Sequence, residues 1–562
     1  MSKKLDEYTK DELLAYIAKL NKDTKFGLVW NPKQENIVAE CETKVPVLQE
    51  VTDKAIAKAG DDEPTHLLLE GDNYHSLSVL NYTHAGKVDV IYIDPPYNTG
   101  NKDFIYNDHY VDKDDPYRHS EWLSFMDNRL RLAKDLLSET GIVFMSIDDN
   151  EQAHLRILSD TIFGEENFIA NIAVYSNPRG RQSSQDIADT HEYVLIYRKT
   201  NKASIYGERL TEDQTKEYTK IDDGGKYREI GLRLRGGRAT AEESPTLHFP
   251  LFFNIKTNTL STEKKAGNEW VEIIPKFTDG TLGTWRWSKV KINKDMHLLR
   301  VRKVNGTDGQ RYDVFQKDYL HDEKRRKVKS LWNEKEINYD RASAELKAIF
   351  GSKSFDYAKP LYLLRKIIGM ATTDKGIVLD FFAGTGTTGH AVLQLNALDS
   401  GKRQFILGTN NENGIAENIT YERINKAING YGQTSGIPAN LRYFKTDFVE
   451  VQGLSRLTDD DKLEITKEMG AMIALRENSF KQKEQTSHWQ TYENATQLTA
   501  IYYREDKTKI DEYIAKLNSQ DKPVKLYVFG WGKNAGTEYA SKKISVEDIP
   551  EPLIEVYKEI AK

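Results

Sequence analysis

"VDVIYIDPPYNTGNKDFIYND", Val88 to Asp108, is the stretch on which the fold turns. Its head, Val90 to Asp94, is a short apolar run of β-branched and aromatic residues, the pattern of a strand buried on both faces. It leads straight into Asp94-Pro95-Pro96-Tyr97. Consecutive prolines have no amide protons to donate, so a central strand has to stop there. An acid, a rigid proline pair and an aromatic ring are thereby held at the carboxyl end of a strand. By itself the tetrapeptide is also readable as a loop turn with a packed tyrosine, so its surroundings decide.

Working outward, the same rhythm repeats. Leu67-Leu68-Leu69 ends in Glu70-Gly71-Asp72 and is followed by a helical stretch carrying Leu77 and Leu80. Trp122, Phe125, Met126, Leu130, Ala133 and Leu137 recur at helical spacing, and Ile142 to Ile147 and His191 to Tyr197 read as further strands. Strands alternating with helices predict a parallel sheet covered on both faces. Between residues 199 and 350 the rhythm breaks into charge, glycine and scattered aromatics (Trp270, Trp285, Trp287, Tyr312, Trp332). It returns at Ile377-Val378-Leu379-Asp380, a glycine-rich turn, a helix and the strand Gln404 to Gly408. The expected organisation is an N-terminal helical extension (1–64), the first part of an α/β core (65–198), an inserted module (199–350), the second part of the core (351–438) and a C-terminal domain (439–562). A capping box at Thr9-Lys10-Asp11-Glu12 opens the extension's helix, with Leu13, Leu14, Ile17 and Leu20 on one face. The C-terminal part shows helical spacing from Leu463 to Leu475 and a strand-like Val524 to Trp531.

The 562 residues allow about three to four domains, and 38% hydrophobic content is enough for cores. A mean hydropathy of −0.65 and the lack of any 18-residue apolar run give no expectation of a membrane span or a secretory leader. One cysteine, Cys41, excludes an internal disulfide framework and fits a reducing, cytoplasmic setting. The net charge of −6 is unevenly spread: Thr281 to Trp332 carries 14 Lys/Arg against 6 Asp/Glu, a local +8, densest at Lys324-Arg325-Arg326-Lys327. Such a run is either a solvated face or a phosphate-contacting surface. His109, His119 and His191 have no metal-ligand spacing with one another or with a cysteine, so no metal is expected.

"VLDFFAGTGTTGH", Val378 to His390, places Gly384, Gly386 and Gly389 in a G-x-G-x-x-G pattern after a strand. This spacing lets backbone approach a ligand and aims a helix N-terminus at it. A P-loop reading fails because His390 and Ala391 stand where Lys and Ser/Thr are required. A dinucleotide fold would want an acid near Glu412, which could hold the ribose of NAD or of another adenosine cofactor. The opening motif breaks the tie, since ligands of a doubly wound sheet gather at the strands' carboxyl ends.

Asp94-Pro95-Pro96-Tyr97 followed by Phe382-Ala383-Gly384-Thr385-Gly386 resembles the β class of S-adenosylmethionine-dependent DNA amino-methyltransferases. "LLLEGDNYHSL", "RHSEWLSFM", "SIDDNE", "KPLYLL", "FILGTNNENGI" and "DIPEPLIEVYKE" are similar to the modification (Mod) subunits of type III restriction-modification systems. The resemblance runs from about Gly27 to the C-terminus and is weakest across 199–350, which in that family recognises the target sequence. It implies an α/β, Rossmann-like methyltransferase sheet with an inserted target-recognition domain and a small C-terminal α/β domain. It also implies a double-stranded DNA substrate, a homodimer and a helicase-nuclease restriction partner. Asp94, Pro95, Pro96 and Tyr97 become the catalytic residues. Asp72, Lys359, Asp380, Phe382, Gly384, Gly386 and Glu412 become cofactor contacts, and Lys324, Arg325, Arg326 and Lys327 phosphate contacts. The first letter of the motif, Asp, implies adenine N6.

The chemistry explains the residue types. An exocyclic adenine amine is a poor nucleophile because its lone pair is delocalised into the ring. Two acceptors on one NH₂, the Asp94 carboxylate and the Pro95 carbonyl, favour a pyramidal nitrogen, and proline holds that carbonyl rigidly. Tyr97 can stack on an extruded base, worth about 1–3 kcal/mol. Two other readings stand beside the Mod subunit: a stand-alone methyltransferase, and a DNA-recognition subunit with vestigial catalysis.

Overall fold

The computed structural model describes residues 9–10, 30, 32, 34–101, 103–180, 186–306, 309–321, 324–352, 358–503, 507–530 and 536–560. They form two compact units, 1–206 with 328–562, and 207–327.

The larger unit is built on an 11-stranded sheet. In chain order its main strands are β1 (Lys44–Glu50), β2 (Thr65–Glu70), β3 (Val88–Ile93), β4 (Leu137–Ile147), β5 (Phe168–Val174), β6 (Glu192–Arg198), β7 (Lys375–Asp380), β8 (Lys402–Thr409) and β9 (Asn440–Glu450). Their spatial order is β1-β9-β2-β8-β7-β3-β4-β6-β5. From β9 to β4 the strands are parallel, while β6 runs antiparallel to β4 and β1 antiparallel to β9. The sheet is thus mixed: the all-parallel reading fails at the His191–Tyr197 strand, which returns against β4. The connecting helices are α1 (Asn73–Thr83), α2 (Arg118–Leu136), α3 (Gln152–Phe163), α4 (Tyr339–Phe350), α5 (Leu361–Ala371) and α6 (Thr387–Asp399).

The apolar runs are continuous because the sheet is covered on both sides. From Val90 onward successive residues of β3 alternate between two cores, and Val88 stands before a shift in register. Val88, Ile91 and Ile93 pack with Leu77, Trp122 and Leu155, whereas Val90 and Tyr92 pack with Leu364, Ile367 and Ala391. From β7 the chain proceeds through α6 to β8 on one side, and from β3 through α2 to β4 on the other. The order therefore reverses between β7 and β3, whose carboxyl ends frame the crevice where such sheets take their ligands.

Several sequence boundaries are corrected. Residues 34–64 are no helical extension: β1 pairs along its whole length with β9, from Lys44 opposite Glu450 to Glu50 opposite Phe444. The helix read over Leu13 to Leu20 falls outside the described residues. Strand β9 belongs to the core sheet although it follows residue 438, because its alternating Leu441, Tyr443 and Phe444 complete that sheet's two cores. Only after β9 does a separate five-stranded sheet form, from Lys481–Gln485 to Ile544–Ile549, joined by the helix Asp459–Arg476. Cys41 is buried, and burial pushes its thiol up to about 12. Among the described residues no helix is long and apolar enough to cross a membrane.

The smaller unit, Gly207–Lys327, is narrower than the 199–350 module read from the sequence. It holds a four-stranded and a three-stranded antiparallel sheet around Leu232, Leu251, Trp285, Ile292 and Val314. The scattered tryptophans divide accordingly: Trp285 and Trp287 belong to this core, while Trp332 is buried in the larger unit.

Candidate active site

The register places Leu379 of β7 opposite Ile91 of β3, so Asp380 lies level with Tyr92 and Asp94 comes two residues on. Asp72 after β2, Glu412 after β8, Asp380 closing β7 and Asp94 after β3 stand at the carboxyl ends of four adjacent parallel strands. Residues roughly 290 apart in sequence are thereby gathered on one rim.

The proline turn is fixed by more than its prolines. The Trp122 indole N–H, fully buried on α2, donates to the Pro96 carbonyl at 2.8 Å. Asp94 meets the ammonium of Lys359 at 2.9 Å. Lys359 also donates to the Tyr97 hydroxyl at 2.7 Å and the Tyr339 hydroxyl at 3.1 Å. Tyr97 in turn donates to Glu192 Oε2 at 3.1 Å, and Tyr339 donates to the same oxygen. Glu192 lies 3.5 Å from Lys359. Burial pushes the Asp94 carboxyl up, Lys359 opposes that rise and Glu192 adds to it. Burial works against the Lys359 ammonium, but Asp94 and Glu192 outweigh it and keep the lysine protonated. One cation thus stands between the half-buried Asp94 and the buried Glu192.

Lys359, expected as a cofactor contact, has its ammonium against Asp94. It precedes Pro360, the N-cap of α5, and its long side chain reaches the two acids that burial would otherwise leave uncompensated. Glu192 and Tyr339 were missed altogether. The only sequence signal was an acid opening an otherwise apolar strand (HEYVLIY), a place where burial demands a partner.

On the neighbouring strand, burial pushes the Asp380 carboxyl up to about 7, against hydrogen bonds from the Thr388 hydroxyl and the Phe382 amide. Gly384 and Gly386 both have positive φ, +48° and +74°. A Cβ on Gly384 would meet only the Phe382 carbonyl at 3.8 Å, so that glycine faces open space. A Cβ on Gly386 would come within 3.1 Å of Thr420 Cγ2, so a side chain there would press on the loop's own packing. Phe382 is half-buried with its ring 5.9 Å from Phe125 of α2, linking the glycine loop to the helix that pins the prolines. Glu412 is exposed in a short turn after β8. Asp72 N-caps α1, accepting from the Tyr74 amide at 2.7 Å, and lies 3.4 Å from Arg129. A buried acid poised to ionise against a cation, an open glycine turn at a helix N-terminus and an exposed acid one strand over form a donor set that fits S-adenosylmethionine.

The basic run is a different matter. Lys324 pairs with Asp318, Arg326 with Glu208 at 2.6 Å, and Arg325 donates to the Gly207 carbonyl at 3.2 Å. Lys327 alone of the four is exposed. As phosphate contacts, the paired residues would have to leave partners inside their own unit.

The family model described as DNA methylase matches residues 88–421. The type II methyltransferase M.KpnI of Klebsiella pneumoniae is 38% identical over 391 residues, 69% of this chain and 89% of that protein. The type III EcoPI Mod subunit of Escherichia phage P1 is 33% identical over 71% of this chain, and the StyLTI Mod subunit of Salmonella typhimurium 34% over 64%. The chain spans 64% and 55% of the lengths of those two subunits. The matched region contains Asp94-Pro-Pro-Tyr97, Glu192, Lys359 and the glycine loop, the very residues that share the rim, and the chain accordingly belongs to the N6/N4 DNA methylase family as an S-adenosylmethionine-dependent DNA methyltransferase.

Proposed function

We propose that the chain methylates adenine N6 in double-stranded DNA and serves as the modification and recognition subunit of a type III restriction-modification system. The observation that carries the adenine reading is the acid of Asp94-Pro-Pro-Tyr97 beside Lys359 and Glu192 on the rim next to the glycine loop. S-adenosylmethionine, when bound, supplies a methyl group made electrophilic by its sulfonium. Asp94 and the Pro95 carbonyl accept the two N–H groups of the amine and aim its lone pair, while the Tyr97 ring stacks on the base. The amine becomes cationic as its new bond to carbon forms, and the excess negative charge of Asp94 and Glu192 over Lys359 stabilises that state more than the neutral amine. Asp94 is the proton acceptor at hand. Extruding the base costs a few kcal/mol and requires a broad DNA-binding surface. The unit Gly207–Lys327 is assigned as that reader, and the sheet Lys481–Gln485 to Ile544–Ile549 with its helices as a dimer contact.

A second reading, a stand-alone methyltransferase without a nuclease partner, is favoured by the match over 89% of M.KpnI. Long-read sequencing of a host expressing the chain alone tests the proposal: modified adenines at one short sequence are expected, and modified cytosines would refute the base assignment. Co-purification with the product of a neighbouring helicase-nuclease gene separates the two assemblies.

A further inference from the structure

Asn98 follows Tyr97 directly and is fully buried with φ +57°, a left-handed conformation that few non-glycine residues adopt. Its amide donates to the Arg118 carbonyl at 3.2 Å and to Glu151 Oε1 at 2.6 Å. Glu151, from the turn before α3, is also fully buried, and a buried carboxylate has to be compensated. Two histidines surround it: His119 Nδ1 lies 2.6 Å from Oε1 and His154 Nδ1 2.8 Å from Oε2, with the rings 4.5 Å apart. Both rings are about a third exposed and so remain in contact with solvent.

Three nitrogen- and oxygen-bearing side chains this close are a conceivable metal triad. Arg118 argues for hydrogen bonding. Its Nε–H, which can only donate, points at His119 Nε2 at 3.1 Å, which leaves the ring proton on Nδ1 facing Glu151. The hydrogen bond to Glu151 likewise favours the protonated form of His154, against burial. The groups facing Asn98 and Glu151 are thus Arg118 and His119 from α2 and His154 from α3.

We infer that Glu151 is a positioning residue for methyl transfer: through Asn98 it holds the backbone turn after Tyr97, and with it the orientation of the catalytic loop, while His119 and His154 keep its charge compensated. The inference rests on the assignment of Asp94 and Tyr97 as the amine-binding pair. It explains an otherwise costly arrangement, a left-handed asparagine and an acid both removed from water one residue beyond the catalytic ring. It also gives a role to three segments far apart in sequence, Asn98, Arg118-His119 and Glu151 to His154.

Single-turnover methylation of duplex DNA against pH, each variant normalised to wild type at the same pH, tests it. Asn98→Asp sets a second carboxylate against Glu151, and at hydrogen-bond distance the two can coexist only by sharing a proton. The rate should fall about ten- to a hundredfold near neutral or higher pH, the size of a lost charged hydrogen bond, and recover as pH falls. Substrate KM and cofactor binding by calorimetry should stay near wild type. Adding Glu151→Gln removes the pairing of two carboxylates, so the double variant should lose the abnormal pH profile even where the lost contacts to Arg118 and His119 keep its rate below wild type. A single variant as fast as wild type at all pH values, or a double variant that keeps the single variant's pH profile, overturns the inference. Loss of cofactor binding together with the rate does so too, since the pair would then hold up the fold and not aim the loop. Wild-type turnover and its loss in Asp94→Ala, measured alongside, report separately on the assignment beneath it.

Discussion

Replacing Glu192 with glutamine removes one charge from the cluster behind Tyr97 while keeping an oxygen to accept from the Tyr97 and Tyr339 hydroxyls. Lys359 Nζ touches both carboxylates, at 2.9 Å from Asp94 and 3.5 Å from Glu192, so the two acids are at most about 6.4 Å apart. A unit charge at ~6 Å in a medium of effective dielectric ~20 contributes roughly 2.8 kcal/mol. An amine held on Asp94 and turning cationic can lie a further hydrogen bond away, at ~9 Å, where the same charge contributes roughly 1.8 kcal/mol, so Glu192→Gln should slow single-turnover methyl transfer by about ten- to a hundredfold. A second effect is separable from the first. Burial and Glu192 both raise the Asp94 carboxyl, with Lys359 opposing them, so removing Glu192 lowers it. Asp94 must be ionised to accept the amine, and the acid limb of the pH–rate profile should therefore shift to lower pH while the plateau falls. Rapid-quench assays across pH, with cofactor and DNA affinities measured separately, resolve the two. An unchanged plateau with an unmoved acid limb would refute the charge argument.

Three further outcomes follow from particular contacts. Gly384→Val should abolish cofactor binding by calorimetry while lowering the melting midpoint through backbone strain at φ +48° alone, whereas Gly386→Val should lower it further by adding a clash with Thr420 to the same kind of strain. Asp380, raised to about 7 by burial, gives cofactor binding a pH dependence: a ligand ammonium favours the anion, so affinity should rise from about pH 6 to 8 with proton release, and Asp380→Asn should flatten that dependence. Arg129→Met would leave Glu35, now held at 2.7 and 2.9 Å by the two terminal guanidinium nitrogens, buried without a cation and with only the Asn128 amide at 3.2 Å, costing about 3 kcal/mol in denaturant unfolding.

The core of the fold was legible because strands buried on both faces carry uninterrupted apolar runs, and because proline and glycine mark where β3 and β7 end. Asp94 and Gly384 could be assigned to one rim from topology alone. Lys359 was found, but its contacts with Asp94, Tyr97 and Glu192 were not, since nothing in its spacing says which way a long side chain reaches. Glu192 and Tyr339 could not be found: they stand 95 and 242 residues from Tyr97, and only folding brings their oxygens together. The partners of the run Lys324 to Lys327 were hidden for a related reason. A row of charges shows its sign in sequence, but Asp318 and Glu208, which pair with two of its members, lie on other strands of the unit. The boundary at 438 failed because β9 looks like the start of a new domain until its partner β1, roughly 390 residues earlier, is known.

The central claim is that the acid at the end of β3 receives an adenine amine. The direct measurement is transfer of labelled methyl groups from S-adenosylmethionine to duplex DNA by the purified chain, with the product nucleosides identified by mass spectrometry, for wild type and Asp94→Ala. The account predicts N6-methyladenine from the wild type and no product from Asp94→Ala, which should still bind DNA. N4-methylcytosine from the wild type, or undiminished methylation by Asp94→Ala, would contradict it.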